Sequence, residues 1–446
     1  MIRSFSTPSI TALNSTSSLL SRKCLILTRN LSKKSMKVNE IAAIHVPVMK
    51  HEVLNLWLPA RHNTESEDQT IHLIDGTLGL GGHSLAAINF RSNVRILGID
   101  RDPYAVKMAR KRFESEFSVV SDAEMSSELN ENHFKLMSDS LFFHHGSYAD
   151  ISSRLLDQNS FPSKVDGILL DLGMNSYQIE NPNRGFTFRK TGPLDMRFNA
   201  KFGNNNGSAV KARDVVNNYS AVELSSIFQR YADEPHAEVI AKAIVQWRKE
   251  KELERSKTDN KGIQSTLELR YIIEEAVFRH NAEDIMEDSQ NPQEGQGAPC
   301  HLTKKANKLQ RYRKIWRHNQ AGALSTQKKR KKLIPLYEKQ KVHNADSVMR
   351  CFQALRIETN DELQHLQSFI QSHAIRDVLN VGGRLVTIAF HPGEDIIVRK
   401  GMEQLVQSGE FRLLTPEDEG LRPTEDEVRE NSKSRTARLR AVEKVK

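Results

Sequence analysis

Cysteine is scarce in this 446-residue chain: Cys24, Cys300 and Cys351 are widely separated and form no C-x-x-C pair. That spacing excludes a disulfide scaffold and a cysteine-built zinc site. No apolar run reaches the length of a membrane-spanning helix, which speaks against an integral membrane protein. No acidic residue precedes Glu40. The G-x-G-x-x-G dinucleotide fingerprint is also absent, which weighs against a dehydrogenase.

Hydrophobic residues make up 38% of the chain, enough for a sizeable core, and the length suits two or three domains. The net charge of +9 hides two basic segments in a mildly acidic body. Residues 1–40 hold seven Lys/Arg and one acid, and residues 301–342 hold fourteen Lys/Arg and one acid. A uniformly basic nucleic-acid coat is therefore excluded. The first segment is Arg-rich, Ser-rich and acid-poor, the composition of a mitochondrial transit peptide, and predicts a matrix location. The second interleaves Tyr312 and Trp316 with its cations, so it reads either as an rRNA-binding arm or as a solvated insert.

From residue 41 to 175, apolar β-branched runs alternate with helical patterns. Ile71–Asp75, Val94–Asp100, Leu141–His145 and Val165–Asp171 read as strands, three of them ending in Asp. A helix is expected over Ser84–Phe90, and another opens at Asp102–Pro103 and runs through Phe113. This alternation predicts an α/β fold with a parallel sheet covered on both faces. Residues 176–345 read as a mainly helical insertion, with helices over Ala221–Arg230, Pro235–Lys251 and Ser265–His280. Within it, about 281–342 reads as a mostly disordered or weakly helical basic insert. Strand character returns at Gly383–Phe390, so residues 346–446 are expected to complete the sheet.

The candidate site starts at Asp75-Gly-Thr-Leu-Gly79-Leu-Gly81-Gly82-His83-Ser84. Glycines directly after a strand let backbone approach a ligand, and the next helix offers free N–H groups. D-x-x-x-G-x-G is the spacing of methyltransferases that use S-adenosylmethionine. Asp100 can accept hydrogen bonds from both ribose hydroxyls, and Asp102 suits a helix cap. In an open α/β sheet, Asp75, Asp100 and Asp171 should meet at one edge, where a sulfonium and a ribose would offset their charges. His144–His145 reads as structural, and no metal-ligand cluster is visible.

The run NPNRGFTFRKTGPLDMRFN (181–199) resembles the signature of the MraW-type ribosomal RNA cytosine-N4 methyltransferases. IDGTLGLGGHS, LGIDRDP, GILLDLG, CFQALRIETNDEL, GGRLVTIAFH and ENSKSRTARLR are similar in family order, over roughly 45–280 and 343–446. The resemblance implies a class I methyltransferase, Rossmann-like sheet interrupted by a helical substrate-recognition domain. With the transit-like segment, it points to the mitochondrial member, acting on a cytidine of small-subunit (12S) rRNA, free or in an assembling subunit. It implies S-adenosylmethionine on Gly81, Gly82, His83, Asp100, Tyr148, Asp171 and Gln178.

Cytosine N4 is a poor nucleophile, so its transfer chemistry needs in-line positioning and a proton acceptor. Asp171, or a carbonyl beside it, is the first candidate, and His391 the second. The target base must leave its stack. Phe186 and Phe188 are candidates to stack on it, or else to pack between domains. Arg184, Arg197 and Arg435 are candidates for phosphate, while Asp195 could hold an Arg to shape the loop. Departures from the family pattern fall at Asn175, Tyr177, 232–236 and Pro392–Gly393. An rRNA-binding assembly factor with weak or no catalysis is the alternative. Against a DNA or adenine N-methyltransferase, the fourth-strand motif is DLGMNS where those enzymes carry D/N-P-P-Y.

Overall fold

The structure is a computed structural model that describes residues 46–59, 69–124, 140–199, 210–254, 262–289 and 345–446. The expected transit segment and the basic run at 301–342 lie outside the described residues.

Seven strands form one sheet: β1 (Ile71–Asp75), β2 (Val94–Asp100), β3 (Leu141–His145), β4 (Val165–Asp171), β5 (Leu379–Ala389), β6 (Phe411–Leu413) and β7 (Arg438–Lys444). Their order is β3-β2-β1-β4-β5-β7-β6. The first five run parallel, and β7 lies antiparallel between β5 and β6. The four strands expected from the apolar runs appear with the same bounds, and the strand expected over Gly383–Phe390 is the end of the longer β5, which stops at Ala389.

Pleating sends alternate residues to opposite faces. Leu73, Ile96, Leu169 and Val386 meet one layer, with α1 (Lys50–Trp57), α2 (Gly82–Phe90) and α3 (Pro103–Glu124). Ile74, Leu97, Ile168 and Leu385 meet the other, with α4 (Ser153–Gln158) and later helices. Burial on both faces explains why these strands read as near-continuous apolar runs.

Between β4 and β5 the chain builds a separate helical core. It passes α5 (Ser176–Glu180), the irregular stretch 181–199, α6 (Ala212–Asn218), α7 (Ala221–Ala232), α8 (Ala237–Glu254) and α9 (Thr266–Ser289). Ser220 and Glu223 form a capping box at the start of α7, which fixes where that helix begins. Helix α10 (Ala345–Asn360) places Val348, Cys351, Phe352 and Leu355 in the same core. The return to the sheet expected at 346 therefore comes one helix later. It runs through α11 (Glu362–Gln371), α12 (Ala374–Val378), β5, α13 (Pro392–Gln407) and α14 (Glu425–Glu430). Residues 281–289, expected to lie in the insert, continue α9. No helix among the described residues is long and apolar enough to cross a membrane.

Candidate active site

The strand registers bring Asp75, Asp100 and Asp171 to one edge of the sheet: Asp75 faces Gly98 and Leu169, and Asp171 faces Ile388. The three carboxylates then diverge in role. Asp75 is buried beneath the glycine loop, where it accepts from Ser84 Oγ at 2.6 Å and from the Thr77 N–H at 3.3 Å. Burial pushes its carboxyl up to about 6. It shapes the loop from below.

Asp100 closes β2 and is half-buried. One oxygen accepts from the Gly79 N–H at 2.7 Å, and the other from the Asp102 N–H at 2.8 Å. Each carboxylate oxygen has a second lone pair, so both remain able to accept from a ribose hydroxyl. Burial pushes this carboxyl up to about 7, against the pull of the two N–H donors.

Asp171 closes β4. Its backbone N–H donates to Thr77 Oγ1 at 2.6 Å, which ties the strand end to the glycine loop. Its Oδ2 lies 3.4 Å from His83 Nε2. Asp171 Oδ1 and both ring nitrogens of His83 are buried without a hydrogen-bond partner. Unsatisfied buried polar atoms are rare, so this cluster at a strand edge is a place where a ligand or a water would complete the bonding. His83 sits in the first turn of α2, which opens at Gly81 in the left-handed region (φ 76°). The free N–H groups of that turn suit the carboxylate of an amino-acid ligand. Tyr148 stands over the start of the loop: a Cβ at Gly76 would lie 3.0 Å from Tyr148 Cβ. Its ring is half-buried and meets Phe369 edge-on at 5.8 Å.

Other expected site residues are placed differently. Gln178 is buried, donates to Asp102 Oδ2 at 2.9 Å and closes a capping box with Asn175, so its amide already has structural duties. Arg184, expected on phosphate, is sealed in the interior. It donates to Asp102 Oδ2 at 2.6 Å and to the carbonyls of Arg197 and Phe198. Phe186 stacks on Phe198 at 5.6 Å, and Phe188 meets Phe352 edge-on at 5.4 Å, so both rings belong to the helical core and do not form a base platform. Arg197 is clasped by Asp195 through two 2.8 Å bonds, which gives Asp195 the loop-shaping role. The exposed cations of this stretch are Arg189 and Lys190, which the sequence reading passed over.

His391 lies at the end of β5, on the edge shared with Asp171, but its charged partner is Glu394 Oε1 at 3.2 Å. Burial alone would push the Glu394 carboxyl up. The His391 ring, Arg356 and the Phe390 N–H outweigh it and hold the group below its ordinary range. Arg435 is exposed on a turn whose Lys433 Nζ donates to Ser176 Oγ at 2.6 Å, beside the loop after β4. Arg440, by contrast, is buried against Asp395 at 2.8 Å.

A dinucleotide-binding sheet is mostly parallel and places a pyrophosphate at its glycine turn. Here β7 is reversed beside β5, and the turn offers a helix N-terminus flanked by His83 and Asp171 with bonds to spare. These features define a class I methyltransferase. The chain belongs to the MraW methylase family, whose profile matches residues 42–282 and 300–445, and methyltransferases of this kind use S-adenosylmethionine. Three bacterial relatives carry the name ribosomal RNA small subunit methyltransferase H. The one from Thermotoga neapolitana is 31% identical over 402 residues, covering 90% of this chain and 96% of its own. The Elusimicrobium minutum protein is 30% identical with 90% and 98% covered, and that of Renibacterium salmoninarum 30% with 90% and 95%.

Proposed function

We propose that this protein methylates the exocyclic N4 of a cytidine in small-subunit ribosomal RNA, and that the RNA is the mitochondrial 12S molecule. The relatives' names support the rRNA substrate. The acid-poor, Arg- and Ser-rich composition of residues 1–40 supports action in the mitochondrial matrix.

The observation that carries the chemistry is the unpartnered Asp171 Oδ1 at the end of β4. S-adenosylmethionine, when bound, supplies a methyl group made electrophilic by its sulfonium. Gly81, Gly82 and His83 would hold its amino-acid end, Asp100 its ribose, and Tyr148 its adenine. Asp171 keeps one oxygen near His83, and its other oxygen, which has no protein partner, would accept a proton from the cytosine amine as that nitrogen bonds the methyl carbon and the methyl–sulfur bond breaks. Placing a weak nucleophile in line beside a fixed acceptor lowers the barrier mainly through orientation. The exposed Arg189, Lys190 and Arg435 would hold phosphate around the opening.

The test is mass spectrometry of mitochondrial small-subunit rRNA nucleosides with and without the protein. N4-methylcytidine should disappear without it and return with wild type but not with Asp171→Ala. Unchanged N4-methylcytidine with defective subunit assembly would refute catalysis in favour of a binding factor. A reporter fused to residues 1–40 should enter the matrix, and a cytosolic reporter would remove the mitochondrial assignment.

A further inference from the structure

We propose that Arg101 and Asn360 are positioning residues for methyl transfer, setting the 195–198 stretch against the turn that holds the cofactor ribose. Met196, Arg197 and Phe198 are themselves buried and close the segment that carries the exposed Arg189 and Lys190, and the reading of that segment as the path of the RNA rests on the proposed function.

The turn after β2 reads Asp100-Arg101-Asp102, and it sends out two arms. In the first, Arg101 Nη1 donates at 2.7 Å to the carbonyl of Asn360, the last residue of α10. That carbonyl is at the negative end of the helix, where a cation is favoured. Asn360 is buried, and its side-chain Nδ2 donates to Met196 O at 2.7 Å and to Arg356 O at 2.9 Å. Its Oδ1 accepts from the Phe198 N–H at 2.8 Å. In the second arm, Arg184 bridges Asp102 Oδ2 to the carbonyls of Arg197 and Phe198, at 2.9 and 3.1 Å.

The carbonyls of 196, 197 and 198 and the N–H of 198 are thus held by two residues that also bond the cofactor turn, Arg184 through its guanidinium and Asn360 through its backbone carbonyl. The stretch has reason to need external support. Met196 sits in the left-handed region at φ 58°, as does Asp361, which joins α10 to α11 at φ 50°. A non-glycine residue there is strained and persists only where its surroundings hold it. Arg101 connects an element of the helical core to the strand end that carries Asp100, so the substrate side and the cofactor side share one clamp.

Arg101 is the better probe, because it is half-exposed and its loss strands no buried charge. In the full chain, Arg101→Ala should lower the melting temperature by only about 2–4 °C and keep S-adenosylmethionine affinity within about twofold. It should lower kcat/KM for a small-subunit rRNA fragment on the order of tenfold, the equivalent of one hydrogen bond to a charged group. Arg101→Lys should recover part of this, since an ammonium can donate to the same carbonyl. Asn360→Asp loses the donors to Met196 O and Arg356 O and buries a carboxylate, so it should lower the melting temperature as well as kcat/KM. Amide hydrogen exchange at Phe198 should accelerate at least tenfold in Arg101→Ala, with no RNA present.

Unchanged Phe198 exchange would overturn the proposal. So would a loss of cofactor and RNA binding in equal measure together with a larger fall in melting temperature. A wild-type chain that left the RNA unmethylated, with Phe198 exchange still accelerated in Arg101→Ala, would refute the substrate reading and leave the clamp standing.

Discussion

The guanidinium of Arg184 meets the carboxylate of Asp102 at 2.6 Å, with the two side chains 2% and 0% exposed. Removing one partner of such a pair leaves a buried charge without compensation, which typically costs about 3–5 kcal/mol. Arg184→Ala should therefore destabilise the chain by that order, read from the midpoint of denaturant unfolding. The salt dependence of RNA binding should not change, because no phosphate contact is lost. A phosphate contact would give the opposite pattern, with normal stability and a shallower salt slope.

That opposite pattern is expected at Arg189 and Lys190. Both are exposed in the stretch that carries Arg184, and the carbonyl of Lys190 accepts from Thr266 Oγ1 at 2.8 Å, so the backbone is anchored while the side chains face solvent. The double change Arg189→Ala, Lys190→Ala should leave the melting temperature within a degree or two. Binding to rRNA should weaken, with the log–log salt slope reduced by about one to two. An unaltered slope would place the RNA path elsewhere on the molecule.

These two predictions also show which parts of the molecule were legible in the sequence. Strands β1, β2 and β4 were, because burial on both faces demands apolar runs and because each ends in Asp at the edge where ligands bind. Strand β7 was not, because four of its seven residues are charged. Glu443 is buried against Arg384 at 2.9 Å, Arg440 against Asp395 at 2.8 Å, and Lys444 donates to Leu379 O at 3.0 Å. Their partners lie far away in sequence, so periodicity cannot reveal them. The same reason placed Arg184 on phosphate and left Asn360 without a role. An arginine in a Gly/Pro-punctuated run looks solvent-facing until the fold brings Asp102 beside it. The Phe186 and Phe188 rings were ambiguous because the surfaces that bury them, Phe198 and Phe352, are supplied by the loop's own return and by α10.

Two glycines should respond differently to alanine. Gly81, at φ 76°, has room for a methyl: its Cβ would make only ordinary contacts, 3.6 Å to Ala109 Cβ and 3.9 Å to Leu78 Cδ1. Gly81→Ala should cost about 1–2 kcal/mol from the left-handed backbone alone. Its larger effect should be on S-adenosylmethionine affinity, because the strain relaxes by moving the N–H groups at the start of α2. Gly185, at φ 80°, would place a Cβ 2.3 Å from Pro193 O, a backbone atom. Gly185→Ala should destabilise more than Gly81→Ala. Calorimetric cofactor titration beside denaturant unfolding separates the two outcomes.

Burial raises the Asp100 carboxyl from 3.8 to about 7, and Asp75 likewise from 3.8 to about 6. The folded chain therefore binds more protons than the unfolded chain across that window. The contribution of these groups to stability is fullest near pH 4 and declines as pH rises, until it levels off above about 7. Asp100→Asn should flatten that decline, read as the difference in unfolding free energy between pH 5 and pH 8. Cofactor binding should run in the other direction. Ribose hydroxyls donate to the ionised carboxylate, so S-adenosylmethionine affinity should rise with pH up to about 7, by nearly tenfold per unit well below it. Binding at pH 6 should then release a proton. Titration calorimetry in two buffers of different ionisation enthalpy detects that release directly, and it should vanish in Asp100→Asn. Proton release that persisted in that variant would assign the titration to another group, with Asp75 the first candidate.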